Sequence, residues 1–186
     1  MKQISAGIII YRQTEEGLKF LLLYHGHNYW NFPKGKIEEN ERQIQTAFRE
    51  VEEETGISSR DLRLVKNFKA SEKFTFHDRE SKNKVFKIVT FYLAETKKKQ
   101  VKNDERDEGY GWFRLSEAKQ ILGKHKNTFE ILSKADRLIK NVKNRNRYYQ
   151  KRGRSTPPSS PLSSLNNQNN PLIKTPPSKL PPDKKI

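Results

Sequence analysis

The sequence predicts an α/β domain followed by a basic, low-complexity tail, and three observations lead there. Short runs rich in β-branched and aromatic residues recur along the first two-thirds of the chain, as strands require. Between and after them lie segments whose apolar residues repeat at helical spacing. Near residue 142 the composition changes, and Pro, Ser, Asn and Lys take over. Such a stretch cannot bury enough apolar surface to fold. The expected division is a domain over 1–142 and a disordered tail over 143–186.

The chain has 186 residues, enough for one domain with a real core and something to spare, and no internal repeat. Its formal net charge of +16 predicts attraction to polyanions such as nucleotides, RNA or acidic membrane surfaces. The charge is uneven: from Lys140 onward there are eleven Lys or Arg against one Asp. With no cysteine, disulfides and thiolate metal sites are excluded. No apolar run is long enough to span a bilayer and no signal-peptide pattern opens the chain. An intracellular, cytoplasmic protein is expected, with a nuclear address open if the basic run is a localisation signal.

Residues 4–12 read as a buried strand in which Ser5, Ala6 and Gly7 allow close approach of other backbone. After a polar turn over 14–17, residues 18–24 form a second strand covered on both faces. Trp30 and Phe32 anchor the loop that ends in Pro33-Lys34-Gly35-Lys36. Lys34 and Lys36 are candidates to meet a polyphosphate, although a solvated loop would explain Lys36 equally well. A helix over 41–55 is capped by Asn40, with Gln43 reaching back, and is ended by Gly56. Its stripe of Ile44, Ala47, Phe48 and Val51 faces the sheet. A strand carrying Leu62, Leu64 and Val65 follows, then a hairpin of 72–77 with 85–95. Phe74, Phe76 or His77 could stack on a base, though packing is the commoner role for such aromatics. The acidic run of Asp104, Glu105, Asp107 and Glu108 precedes a strand over 110–115. Two helices close the domain, 117–122 capped by Ser116 and 128–142.

Glu50, Glu53 and Glu54 stand at i, i+3 and i+4 on the first helix. Carboxylates so crowded repel one another, and helix stability alone would not ask for them without basic partners. A solvated acidic face is the ordinary explanation. A hard divalent cation is the other, since Mg2+ takes oxygen ligands and leaves positions to water and phosphate. The surrounding residues decide between them. Gly35, Glu41, Arg49-Glu50, Val51, Glu53-Glu54, Gly56 and Ile57 occupy every defined position of the Nudix hydrolase signature, which this stretch therefore resembles. The resemblance implies an α/β/α sandwich with a mixed sheet and a Mg2+-dependent hydrolase of nucleoside diphosphates linked to another moiety, with Mn2+ as a substitute metal. Glu50, Glu53 and Glu54 would hold the metal, while Gly35, Glu41, Arg49 and Gly56 would shape the loop and helix.

Further residues resemble the diadenosine tetraphosphate hydrolase branch of that family. They are Ser5-Ala6-Gly7-Ile8-Ile9, Phe20-Leu21-Leu22-Leu23, Tyr29-Trp30 through Gly35, Phe91-Tyr92-Leu93-Ala94-Glu95, and Tyr110-Gly111-Trp112 followed by Ser116-Glu117-Ala118. That branch implies asymmetrical cleavage of diadenosine tetraphosphate to ATP and AMP. Lys34 and Lys36 would touch phosphate, Tyr110 would lie near the substrate, and Phe74 or Phe76 would sit against adenine. One position departs from the pattern: the glutamate expected six residues before Trp112 is Arg106 here. Glu105 is the favoured replacement, and Glu53 or Glu105 would take the proton from the attacking water.

Two other functions stay open. An RNA 5′-end pyrophosphohydrolase or decapping enzyme would give the basic run, with Tyr148 and Tyr149, an RNA to hold. A catalytically silent binding module on the same fold is disfavoured by the intact carboxylate set. Nothing in the sequence settles the oligomeric state.

Overall fold

The computed structural model describes residues 1–78, 82–102 and 109–151. Strand β1, Lys2–Thr14, is the spine. Its alternate residues serve two cores: Ala6, Ile8 and Ile10 face one, Ile9 and Tyr11 the other. Burial on both faces is why it reads as an unbroken apolar run rather than an alternating one. The chain turns at Gly17, whose φ of 112° suits glycine, and the Thr14 hydroxyl donates to the Gly17 carbonyl at 2.8 Å. Strand β2, Gly17–Tyr24, then runs antiparallel to β1.

The remaining elements follow in order as β3 (Trp30–Asn31), β4 (Lys34–Lys36), α1 (Gln43–Thr55), a 3-10 turn (Ser59–Asp61), β5 (Leu62–Leu64), β6 (Ala70–His77), β7 (Lys84–Thr96), β8 (Gly109–Phe113), α2 (Leu115–Ile121) and α3 (Lys126–Lys151). The strands make one sheet with the path β3-β2-β1-β7-β5, joined by β4 on β1, β6 on β7 and β8 on β2. Among the described residues only the pairing of β1 with β7 is parallel, so the sheet is mixed. Helix α1 buries Ala47 and Val51 against Ala6, Ile8, Ile10, Leu21 and Leu23 on one face. On the other face α2 and α3 bring Ala118, Leu122, Ile131, Leu132 and Ala135 onto Ile9, Phe20, Leu22, Val89 and Phe91. The expected α/β/α sandwich is the observed architecture.

Several helix boundaries differ from those the sequence predicts. Asn40 does not cap α1; it turns the chain in the left-handed region at φ 63°. The N-cap is Arg42, whose backbone N–H donates to Gln45 Oε1 at 3.0 Å, so the helix starts two residues later than the Asn40 and Gln43 pairing suggests. Asn tolerates that conformation better than most residues, which makes it a turn residue here rather than a cap. Helix α2 is likewise entered through Arg114, with Glu117 Oε2 accepting its N–H at 2.7 Å, and Ser116 lies inside the helix. Gly56 ends α1 as expected, in the left-handed region with its N–H on the Glu52 carbonyl at 2.9 Å. Helix α3 runs on to Lys151, nine residues beyond Val142, the last residue it buries. Asn103 through Glu108, and with them Glu105, fall outside the described residues.

Candidate functional site

The site begins where β4 hands the chain to α1. Lys34 and Lys36 pair with Gly7 and Ser5 of β1, so neighbours across the strands share a face and both lysines stand on the side of Ile9 and Tyr11. Gly35, between them, turns to the α1 side. A Cβ there would fall 1.9–2.1 Å from the carboxylate atoms of Glu50, so glycine is what lets that buried carboxylate reach the β4 backbone. On the same helix Glu54 Oε2 accepts the Lys34 N–H at 2.9 Å.

Arg49 is the basic partner that the glutamate spacing appeared to lack. Its Nη1 donates to Glu50 Oε1 at 2.8 Å and to the Glu53 oxygens at 3.3 and 3.4 Å. Its other nitrogens hold Glu41 at 2.9 and 3.0 Å and the Lys36 carbonyl at 3.1 Å. Thr46 Oγ1 and the Glu38 N–H complete the shell of Glu41 at 2.6 and 3.2 Å. One guanidinium thereby ties loop, strand and helix together.

These bonds, chiefly that from Arg49, pull the Glu41 carboxyl from its ordinary 4.5 down to about 2. A carboxyl depressed in the folded state stabilises the fold above its unfolded value and loses that contribution as pH falls through the folded value. Stability is therefore expected to decline between about pH 4.5 and 2. Urea midpoints across that window should fall less steeply for Glu41→Gln than for the native chain.

The donors Glu50, Glu53 and Glu54 are all carboxylate oxygens, the kind a hard divalent cation takes. The cradle at Gly35, built around the Glu50 carboxylate, suits them to such an ion. They are not gathered at one point: among the described residues no three Asp, Glu or His side chains stand together as a ready ligand set. Arg49, lying across Glu50 and Glu53, supplies the counter-charge in that arrangement.

On the other face of the sheet the register assembles residues that lie far apart in sequence. Lys87 of β7 stands opposite Phe74 of β6, and Glu72 opposite Val89. Burial, with Lys34 and Lys36 nearby, lowers the pKa of Lys87. Burial raises the pKa of Glu72, while Thr128 Oγ1, donating at 3.1 Å, and the charges of Lys34, His125 and Lys87 oppose the rise. Glu72 also lines a cavity of about 560 Å³ with Tyr29, Asn31, Phe74, His125 and Thr128. Tyr29 meets the His125 ring edge-on at 5.2 Å, making an aromatic wall.

The structure thus brings Lys34, Lys36 and Phe74 together on one face. Phe76 is 6.2 Å from Phe74 and half-buried, and it does not line the cavity. Tyr110 pairs with Leu23 and so belongs to the α1 side, away from Phe74. His77 projects to the opposite side of β6 from Phe74 and Phe76. Glu105 lies outside the described residues. Lys87, Glu72, Tyr29 and His125 escaped the reading of the sequence. For Lys87 there was a signal: a lone charge inside the apolar run of β7, where a buried cation is costly. The others carry no mark until the fold joins α3 to β6.

The NUDIX domain family model matches residues 1–134. The asymmetrical bis(5′-nucleosyl)-tetraphosphatase of Sus scrofa is 31% identical over 127 residues, covering 63% of this chain and 82% of that protein. A crystal structure of Caenorhabditis elegans Ap4A hydrolase superposes with a TM-score of 0.61 at 25% identity, covering 75% of this chain and 99% of that one. The mRNA-decapping protein g5R of African swine fever virus is 50% identical over only 42 residues, 23% of this chain and 17% of that protein.

Proposed function

The chain belongs to the Nudix family, and from that premise we propose that it cleaves diadenosine tetraphosphate asymmetrically to ATP and AMP. It is a pyrophosphohydrolase of nucleoside polyphosphates that uses a divalent metal. The observation that carries the substrate is the grouping of Lys34, Lys36 and Lys87 between the α1 carboxylates and the aromatic cavity. Three ammonium groups match a polyphosphate, and the cavity beside them accepts a base.

Each residue then has a task. Lys34, Lys36 and Lys87 donate to phosphate oxygens and hold the chain of phosphates along β4. Phe74, or Phe76 beyond it, offers a face to adenine, and Tyr110 touches the substrate from the α1 side. Glu50, Glu53 and Glu54 would hold the divalent metal, Mg2+ with Mn2+ as substitute, which when bound would neutralise phosphate charge and make water more acidic. Water adds to phosphorus as the anhydride P–O bond breaks and the polyphosphate leaves as an anion. The proton goes to a carboxylate oxygen of Glu53 or Glu105. Gly35, Glu41, Arg49 and Gly56 keep loop and helix in place. The proposed domain is 1–142, with 143–186 an accessory basic tail. No helix among the described residues is long and apolar enough to cross a membrane, and a cytoplasmic location is proposed.

Lys87→Gln is expected to lower kcat/KM by about tenfold to a hundredfold, as hydrogen bonds to charged groups are worth roughly 1.5–3 kcal/mol. Removing a half-buried cation should leave the thermal midpoint unchanged or higher. Steady-state kinetics beside a melting curve would check both.

RNA 5′-end processing is the second reading, favoured by the match to the viral decapping protein and by the basic run after Val142. One experiment separates the two. Diadenosine tetraphosphate and 5′-triphosphorylated or capped RNA are offered in parallel with Mg2+, and products are identified. ATP plus AMP with little action on RNA supports the first; efficient release of pyrophosphate, phosphate or cap nucleotide makes RNA primary.

A further inference from the structure

Helix α3 outruns the domain it packs on. Its inward stripe of Ala135, Ile139 and Val142 would continue through Asn146 and Tyr149, and beyond Val142 no residue of the helix is buried. The remaining nine residues extend the helix by about 13 Å at 1.5 Å per residue. They read Lys-Asn-Arg-Asn-Arg-Tyr-Tyr-Gln-Lys, with four cations and no acid. Lys143, Arg147 and Lys151 stand at i, i+4 and i+8, forming one exposed cationic stripe.

Folding gives little reason for that stripe. Like charges at i, i+4 disfavour a helix. The helix dipole welcomes cations, but only within the last turn, and Lys143 and Arg145 lie before it. The last ion pair along the helix among the described residues is Lys140 with Asp136 at 2.8 Å. Lys143 reaches only the neutral amide of Gln13 on β1. Beside the cations Tyr148 is 50% exposed and meets Tyr149 edge-on at 5.7 Å. An anionic bilayer would suit the charge but not the rest, because the segment has no aliphatic side chain to bury. A single strand uses everything present: phosphates for the cations, bases for Tyr148, and 2′-hydroxyls for the exposed amides of Asn144 and Gln150.

We propose that the projecting end of α3, residues 143–151, is a docking surface for single-stranded RNA, with Lys143, Arg145, Arg147 and Lys151 on phosphates and Tyr148 stacked on a base. The proposal is independent of which polyphosphate the active site cleaves. It is tested on the full chain with a fluorescent 20-nucleotide unstructured RNA bearing a 5′-hydroxyl, which offers no anhydride to the catalytic site. Four phosphate contacts predict an affinity falling roughly fifty-fold between 50 and 200 mM salt. K143Q/R145Q/R147Q/K151Q is expected to abolish most of that dependence, flattening the logarithmic slope by about 3. Tyr148→Ala should weaken binding by about fivefold or more with the slope retained. Circular dichroism should show the helix kept in both variants, and turnover of diadenosine tetraphosphate should match the native chain. RNA affinity and slope unchanged in the quadruple variant would overturn the proposal. So would equal affinity for the DNA of the same sequence, or variant-sensitive binding to phosphatidylserine vesicles as tight as to RNA.

Discussion

Replacing Glu53 with Gln is expected to lower kcat for the dinucleotide by about 10²- to 10⁴-fold, the range general acid–base catalysis supplies. The fold should not notice. The Glu53 side chain is 44% exposed, and its bonds to Arg49 are long, at 3.3 and 3.4 Å. Exposed pairs of this kind contribute about 0–1 kcal/mol, so the thermal midpoint should hardly move. Glu52→Gln, an exposed neighbour on the same helix, is the control and should keep native turnover. Native kcat in Glu53→Gln would remove Glu53 from both the metal and the proton, whereas full biological activity kept after turnover is lost would bring back the silent binding module.

Gly7→Ala should do the reverse, costing stability first and activity as a result. A Cβ at Gly7 would fall 2.3 Å from the Pro33 carbonyl and 2.6 Å from Lys34 Cβ. The carbonyl is fixed backbone, already accepting the Ile8 N–H at 3.2 Å. Overpacking of this kind costs about 1–3 kcal/mol, or roughly 3–10 °C in thermal midpoint for a domain of this size. The loop must also shift, carrying Lys34 away from its partners. Gly35→Ala distinguishes the two glycines, since there the clash is with the end of the Glu50 side chain, which can swing aside. That variant is expected to melt near the native temperature but to need about ten to a hundred times more divalent metal for half-maximal rate, the usual scale for a misplaced ligand. A midpoint for Gly7→Ala equal to the native one would mean that β1 and β4 part without cost.

The elements were legible because their residues carry local signals. β-branched runs marked β1 and β7, the apolar run Phe20-Leu21-Leu22-Leu23 marked β2, and helical spacing marked α1 and α3. Caps were less legible, since Asn40 and Ser116 are good capping types and only the path of the loop decides whether they cap. Half of the site was legible for the same reason: Gly35, Glu41, Arg49, Glu50, Glu53 and Glu54 lie within one loop and helix at fixed spacing. The guanidinium bridge was not, because spacing places Arg49 beside Glu53 without showing that it also reaches Glu41 and the Lys36 carbonyl. Lys87 lies on β7, Glu72 on β6 and His125 in the loop before α3, and strand register brings the first two to one face. A register slip of one residue would send each to the other side.

By itself, then, the sequence determined the family, the α/β class and the carboxylate-bearing helix, all of which depend on residues close together in the chain. It also determined that the cations crowd toward the C-terminus. Only the tertiary structure decided which face of the sheet each lysine serves, that Glu72 is buried beside an aromatic cavity, and that the basic run begins as a helix continuing past the last residue α3 buries. The physical reason is that side-chain chemistry is local, whereas burial, field and register come from packing partners far away in sequence.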